Sequence, residues 1–364
     1  MWPNDRFIDL CGIELPIIQA PMAGAAFSDM VVAVSQAGGL GSLACALLSV
    51  ENARNELEAI RRKTSRPINA NFFCHQTPRE DHDRAMNWRR RLDAYYVQLQ
   101  ADDNPSIPTS ARAAFDDKMC NLVMEFHPEI VSFHFGLPDK NLLRRVRSSG
   151  AKILSTATSV DEARWLEDQG CDAIIAQGFE AGGHRGMFRT EDVSTQVGTM
   201  ALVPQVVDAV KVPVIAAGGI ADGRGILAAF ALGAAAVQIG TAYLHCPEAK
   251  ISPLHRQALK GARDNDTAIT NIFTGRPARA IVNRFVREVG PMSDVVPMFP
   301  LATAAVAPLR AKLETAGSAD FSPLWSGQAA RLGRGLPAGE LTKQLAAEAL
   351  EKLRQLQTIA CESR

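Results

Sequence analysis

The chain has 364 residues, of which 47% are hydrophobic and 21% charged, a composition that excludes a wholly disordered protein. Its 39 basic and 39 acidic residues give a net charge of zero, which excludes partners held by bulk charge, such as nucleic acid or an anionic membrane. Seven scattered cysteines without a CxxC pair argue against disulfides and a structural metal site. Because the first nine residues also lack the apolar run of a signal peptide, we expect a cytoplasmic protein.

Short apolar runs alternate with amphipathic stretches along the first 245 residues. Eight runs predict buried strands, at residues 17–20, 40–44, 68–73, 130–133, 152–156, 173–177, 214–217 and 235–239. Helices are predicted at 28–37, 49–62, 139–149, 159–169, 200–210 and 222–232, with Ser49 and Ser159 as N-caps. Buried-type strands that alternate with helices predict an α/β fold, a (β/α)8 TIM barrel at residues 1–245. An open doubly wound sheet is the alternative.

One part of this barrel also has the length of a membrane span. Residues 225–247 contain no acidic or basic side chain. A turn-like Leu232-Gly233-Ala234 divides the segment into a helix-sized piece and a strand-sized piece. We therefore interpret it as a buried part of the barrel.

Three segments are surplus to the barrel strands. Residues 78–127 are rich in charge and are predicted to be a helical insertion. Its three consecutive arginines at 89–91 are interpreted as a solvated helix face. Asp102 and Asp103 add acidic charge, and Pro105 and Pro108 interrupt the segment. Residues 246–335 are rich in Pro and Gly and are predicted to form a lid over one end of the barrel. Residues 336–364 have apolar positions at helical spacing and predict a C-terminal amphipathic helix.

Polar or glycine-rich motifs directly follow four of the predicted strands. They are Met22-Ala23-Gly24 after the first, residues 177–186 after the sixth, Gly218-Gly219 after the seventh and Gly240-Thr241 after the eighth. In a barrel these strand ends share one face, and that face carries the active site. Backbone N–H groups of glycine loops after the last two strands suit a phosphate. Each loop alone is equally explained as a tight turn, whereas together they predict a phosphate-bearing ligand.

Side chains at the other strand ends suit a flat heteroaromatic ring. Asn71, Gln177 and Gln238 carry amides that can hydrogen-bond the rim of an isoalloxazine or ribityl hydroxyls, so FMN fits better than a sugar phosphate. His134 and His184 also lie at strand ends, where a histidine can take a proton or hold an anion. A lone histidine is more often a satisfied structural residue, but the shared catalytic face favours a functional interpretation of His134.

Several motifs give the chain a family resemblance. They are PIIQAPMAG at 16–24, SFHFGLP at 132–138, QGFEAGGHRG at 177–186, PVIAAGGIADGRG at 213–225, QIGT at 238–241, TGRPARAIVNR at 274–284 and PLWSGQ at 323–328. Taken together they resemble the nitronate monooxygenase family, also called 2-nitropropane dioxygenase, in its bacterial class I form. The likeness covers most of the chain in order, and SFHFGLP and GGHRG are the discriminating motifs.

The resemblance implies an FMN-dependent oxidation of alkyl nitronates, such as propionate 3-nitronate, with O2 to a carbonyl compound and nitrite. It implies His134 as the catalytic histidine and His184 as a substrate-binding residue. The implied FMN-binding residues are Met22, Ala23, Gly24, Asn71, Gln177, Gly182, Gly219, Gln238, Ile239, Gly240 and Thr241. The expected partners are a small nitronate and O2, with neither nucleic acid nor membrane, and homo-oligomerisation is left open.

Two alternatives stand beside this interpretation. The GGI-ADGRG and QIGT segments resemble those of flavin enoyl reductases and NADH:quinone reductases of the same fold, so an NAD(P)H-dependent flavin reductase is the nearer one. A non-redox barrel that binds phosphate or flavin is the more distant one. The chain also has Ala25-Ala26 where glycine is more frequent in the family, and residues 299–309 contain no tyrosine. The second departure leaves the substrate preference open.

Overall fold

The computed structural model describes residues 2–79, 81–101 and 113–362. Asp102, Asp103, Pro105 and Pro108 of the predicted insertion lie outside these residues. The strands are β1 (Ile17–Gln19), β2 (Gly41–Ala44), β3 (Ile68–Phe73), β4 (Ile130–His134), β5 (Lys152–Ala157), β6 (Ala173–Gln177), β7 (Gly183–His184), β8 (Val214–Ala217), β9 (Ala236–Ile239), β10 (Thr267–Thr270) and β11 (Ala278–Ile281).

The α-helices surround these strands and are numbered in chain order. They are α1 (Arg6–Cys11), α2 (Ser28–Gln36), α3 (Val50–Lys63), α4 (His82–Arg91), α5 (Asp93–Leu99), α6 (Asp117–Phe126), α7 (Lys140–Ser148), α8 (Val160–Asp168), α9 (Thr199–Ala209), α10 (Gly223–Ala231), α11 (Thr241–Leu244), α12 (Pro253–Gly261), α13 (Arg284–Val289), α14 (Thr303–Thr315) and α15 (Ala338–Glu362). Every predicted helix is present to within a few residues, and Ser49 and Ser159 accept the cap hydrogen bonds predicted for them.

Eight strands form one parallel sheet in the order β1-β9-β8-β6-β5-β4-β3-β2. The sheet closes on itself through a parallel bridge between Ile18 and Leu40. At this narrow seam the Gln19 side chain accepts a hydrogen bond from the Ser42 N–H at 2.9 Å and adds a link between β1 and β2. The (β/α)8 barrel is therefore confirmed, and the open doubly wound sheet is excluded.

The alternation of side chains along the strands decides what the barrel presents at its end. One buried cluster collects Ile18, Ile130, Ile175 and Ala236 from different strands, with Phe7 of α1 below them. Residues two positions further along a strand share its face. The same inward face therefore continues to His134 on β4, Gln177 on β6 and Gln238 on β9, which explains why polar side chains meet at the carboxyl ends.

The outer ring of helices is completed from the far end of the chain. Helices α6 and α7 are neighbours, as are α8 and α9, whereas α15 packs between α2 and α10. Leu341 and Leu345 of α15 are fully buried in this contact. The C-terminal amphipathic helix is thus the eighth barrel helix, and residues 246–335 stand between the last strand and its helix.

A second core joins the insertion to the segment 246–335. Trp88, Tyr95 and Tyr96 of α4 and α5 pack with Phe285 and Phe321. Around this core, β10, β11 and β7 form a three-stranded antiparallel sheet. The sequence did not predict this sheet, nor did it predict that the two segments pack together.

The segment 225–247 folds as α10, β9 and α11, in agreement with its interpretation as a buried unit. Among the described residues, no helix combines the length and the apolar character that crossing a membrane requires.

Gly41 provides a test of the packing between α2 and β2. A Cβ at this position would lie 2.2 Å from the Val31 carbonyl oxygen, and backbone atoms cannot move aside as a flexible side chain can. We expect Gly41→Ala to lower the free energy of unfolding by about 2 kcal/mol or more, measured by urea denaturation. Gly261→Ala is the matched control. Nothing lies within 4 Å of its Cβ position and it ends helix α12, so this change should leave stability unchanged or raise it by up to about 1 kcal/mol. Equal effects of the two changes would contradict this packing argument.

Candidate active site

A cavity of about 480 Å³ opens at the carboxyl ends of the barrel strands. Its walls include every predicted site residue except one: Met22, Ala23, Gly24, Asn71, His134, Gln177, Gly182, His184, Gly219, Gln238, Gly240 and Thr241. The exception is Ile239, which is 1% exposed and belongs to the hydrophobic core outside the barrel. The structure also adds walls that were not predicted, from the segment 246–335: Lys250, His255, Arg310, Glu314 and Trp325.

The loops at Gly218-Gly219 and at Gly240 line this cavity, and the first of them lies against Glu180. Gly219 has a φ of +73°, a left-handed conformation that side chains rarely adopt. The Glu180 carboxylate accepts hydrogen bonds from the Thr199 N–H at 2.8 and 3.0 Å. It thereby fills the anion-attracting N-terminus of α9. That helix end is therefore already occupied by a carboxylate, whereas the loops at Gly219 and Gly240 line the cavity.

The loop after β6 approaches the segment 246–335 closely. A Cβ on Gly182 would lie 2.4 Å from the backbone nitrogen of Gly327. The Gly327 N–H in turn donates to the Thr241 hydroxyl at 2.9 Å. Glycine at position 182 therefore lets residues 326–327 lie against the cavity.

The three predicted amide side chains differ in how their hydrogen-bonding groups are satisfied. The Asn71 Nδ2 donates to the Ser132 hydroxyl at 2.9 Å. The Gln177 Nε2 donates to the His184 carbonyl at 3.1 Å, and its Oε1 accepts from the Gly186 N–H at 2.8 Å. Gln177 therefore uses both ends of its amide to position the loop. The Gln238 Oε1 is buried and has no hydrogen-bond partner within the described residues, which marks it as a group that a ligand would satisfy.

His134 is held at both ring nitrogens. Its Nε2 lies 3.2 Å from the His184 carbonyl oxygen, and its Nδ1 lies 3.1 Å from the Thr156 hydroxyl. Because a carbonyl can only accept, Nε2 carries the proton and Nδ1 accepts from Thr156. Burial lowers the pKa of His134 to about 3, so its imidazole is neutral at pH 7.

Aromatic side chains enclose the space beside the histidines. The His184 Nε2 lies 2.9 Å from the Thr274 hydroxyl. The ring centre of His184 is 5.3 Å from that of Trp325, 5.3 Å from that of Phe299 and 6.2 Å from that of Phe73. We call these four residues the aromatic box. Its apolar walls reduce solvent access and lower the local dielectric constant.

Acid stability tests the neutral state of His134. An unfolded histidine titrates near its ordinary value of 6.5, whereas the pKa of folded His134 is about 3. Between these two values the unfolded chain binds more protons, so stability falls as the pH decreases from 6.5 towards 3. We expect His134→Asn to flatten this dependence by up to about 1.4 kcal/mol per pH unit, measured by denaturant unfolding at several pH values. An unchanged slope in the variant would contradict the assignment.

Comparisons with known proteins converge on one family. The sequence model of the family described as "Nitronate monooxygenase" matches residues 4–348. A protein named nitronate monooxygenase from Pseudomonas aeruginosa is 40% identical over 95% of this chain and 99% of its own length. Among solved structures, a nitroalkane oxidase from Streptomyces ansochromogenes has a TM-score of 0.85 and 38% identity, covering 95% of this chain and 98% of that one. FabK from Thermotoga maritima has a TM-score of 0.72 and 28% identity, covering 97% and 98%.

Proposed function

The chain belongs to the nitronate monooxygenase family of oxidoreductases, and we propose that it uses FMN to oxidise alkyl nitronates with O2 to a carbonyl compound and nitrite. Propionate 3-nitronate is one such substrate. The observation that carries this proposal is the single cavity in which two backbone loops, the unpartnered Gln238 oxygen and the pair His134 and His184 meet. The first two features suit the cofactor, and the histidine pair suits a small anion.

The residues of the cavity fit FMN by their chemistry. The loops at Gly219 and at Gly240-Thr241 offer backbone N–H groups to a phosphate. Gln238 and Asn71 offer amide groups to the ring or the ribityl chain, and Met22 lines the same cavity. When bound, FMN would supply the capacity to accept an electron from the nitronate. The protein supplies the binding, the orientation and the electrostatic environment.

His134 acts in this proposal as an orienting donor and not as a strong base. Its Nε2–H donates to the His184 carbonyl at the long distance of 3.2 Å, and a nitronate oxygen can share this proton in a bifurcated hydrogen bond that leaves the contact with His184 in place. Thr156 and the His184 carbonyl fix the orientation of the ring. Because its pKa is lowered to about 3, neutral His134 has little affinity for a substrate proton. The site is therefore suited to a nitronate that arrives already deprotonated.

Substitution of His134 tests this role. We expect His134→Ala to bind FMN normally but to lower kcat/KM for a nitronate by about 100-fold, measured by oxygen consumption. His127→Ala is the matched control, since His127 is exposed, does not line the cavity and contacts the Ser149 carbonyl through its ring. Undiminished turnover by His134→Ala with its flavin intact would remove the histidine from the mechanism.

An NAD(P)H-dependent flavin reductase is the second candidate, because its glycine loops resemble those at Gly219 and Gly240 and because FabK shares the fold at a TM-score of 0.72. Anaerobic mixing distinguishes the two. We expect a nitronate to change the absorbance of the bound flavin within one turnover, whereas NADH leaves it oxidised over the same time. Rapid bleaching by NADH and no response to the nitronate would favour the reductase. A protein without flavin absorbance and without affinity for added FMN would favour the non-redox barrel.

A further inference from the structure

Two aromatic side chains of the cavity wall lie next to the histidines. Trp325 lines the cavity, and its ring centre is 5.3 Å from that of His184. Phe73 also lines the cavity, and its ring centre is 5.8 Å from that of His134 and 6.2 Å from that of His184. The space beside the histidines therefore has one aromatic wall from strand β3 of the barrel and another from the segment 246–335.

The wall formed by Trp325 is supported from behind. Its ring centre lies 5.6 Å from that of Phe273, which is buried in the second core. Its backbone forms an antiparallel bridge with Ala280 of β11. The Trp325 carbonyl accepts a hydrogen bond from the His255 Nε2 at 3.0 Å. Because the packed core behind it leaves no room to retreat, the indole ring forms a rigid wall.

The residues after Trp325 attach the same wall to the loops that we assign to the cofactor. The Gly327 N–H donates to the Thr241 hydroxyl at 2.9 Å, and the Gln328 N–H donates to the Glu180 carbonyl at 3.0 Å. Thr241 and Glu180 both line the cavity. The position of Trp325 is therefore fixed relative to the proposed cofactor site as well as to His184.

The volume of the cavity limits what can lie between these walls. At about 480 Å³ it is in the lower half of the range of about 300–1,000 Å³ that is usual for small-molecule sites. In the proposed function this volume has to hold both the cofactor and the nitronate. Little of it remains for the organic group of the substrate.

We propose that Trp325 is a specificity-determining residue, whose indole ring limits the length of the organic group that a nitronate carries while its oxygens lie at His134. This inference rests on the proposed function and adds a size limit to the substrate class. A rigid wall excludes a chain that is too long, because steric overlap costs more free energy than the burial of a further methylene group gains. Trp325 contacts the organic group and takes no part in proton transfer.

A series of nitronates with unbranched chains of two to eight carbons tests the proposal. The protein is saturated with FMN, and kcat/KM is measured for each nitronate by oxygen consumption. We expect the wild-type value to fall at least about tenfold from the best chain length to eight carbons. Trp325→Ala should raise the ratio of kcat/KM for the eight-carbon nitronate to that for the two-carbon nitronate by about tenfold. Trp325→Phe, with a smaller ring, should change this ratio in the same direction by a smaller factor.

A second tryptophan provides the matched control. Trp2 stacks on Phe230 at a ring distance of 5.5 Å and does not line the cavity, so Trp2→Leu should leave the chain-length profile unchanged. The thermal unfolding temperature of each variant shows whether its fold is intact. If Trp325→Ala does not fold, Trp325→Phe decides the question. The proposal is overturned if wild-type kcat/KM does not fall with chain length, if the intact Trp325 variants keep the wild-type profile, or if Trp2→Leu changes it equally.

Failure of this proposal is distinguishable from failure of the proposed function. Carboxylates of the same chain lengths are planar anions that are not oxidised, and their dissociation constants are measured by calorimetry. If Trp325→Ala binds the long carboxylates more tightly but no variant oxidises nitronates, only the proposed reaction is contradicted. If nitronates are oxidised with the same chain-length profile in every variant, only the role of Trp325 is contradicted. Parallel changes in turnover and in carboxylate binding are expected if both proposals hold.

Discussion

The carbonyl oxygen of His184 is the contact on which the site depends. It accepts hydrogen bonds from the Gln177 amide at 3.1 Å and from the His134 ring at 3.2 Å, so it ties the ends of β6 and β4 to the short strand β7. Strand β7 pairs in turn with β11, where His184 is opposite Ala278. One backbone oxygen therefore couples the barrel to the small sheet above it. Displacement of β7 would release both His134 and Gln177.

The barrel was predictable from local patterns, because each parallel strand is a short buried run and five of the helices around it (α3, α6, α7, α8 and α10) begin at a capping side chain. The strands β3, β6 and β8 agree with their predicted limits. The small sheet was not predictable in the same way. Strand β11 has the sequence ARAI, whose pattern is short and mixed, and its pairing with His184 depends on residues far apart in the chain. Tertiary packing, not local propensity, forms that sheet.

The residues of the site likewise divide into those that the sequence predicts and those that only the structure reveals. Glycines and amides were recognisable because they directly follow strands whose ends share one face, and all but Ile239 of the residues inferred from the family resemblance line the cavity. The role of Gln177 was not recognisable, since it depends on where the backbone of Gly186 returns. The segment 246–335 was predicted to cover one end of the barrel, but the residues that reach the site, such as Trp325 beside His184, were not, because the sequence does not show which part of a long segment lies at the barrel.

The balanced charge of the chain conceals a difference between its arginines. Arg263 pairs with Asp266 and Arg284 with Glu288 in partly exposed ion pairs, which contribute little to stability. Arg185 is fully buried and donates to the carbonyls of Gly178 and Gln177 and to the Gln196 side chain. Burial lowers the pKa of Arg185 to about 10, and the negative charges of Glu180 and Glu162 oppose that shift. The buried guanidinium therefore fixes the loop after β6 that carries His184, so it contributes to the geometry of the site without any excess of basic residues in the composition.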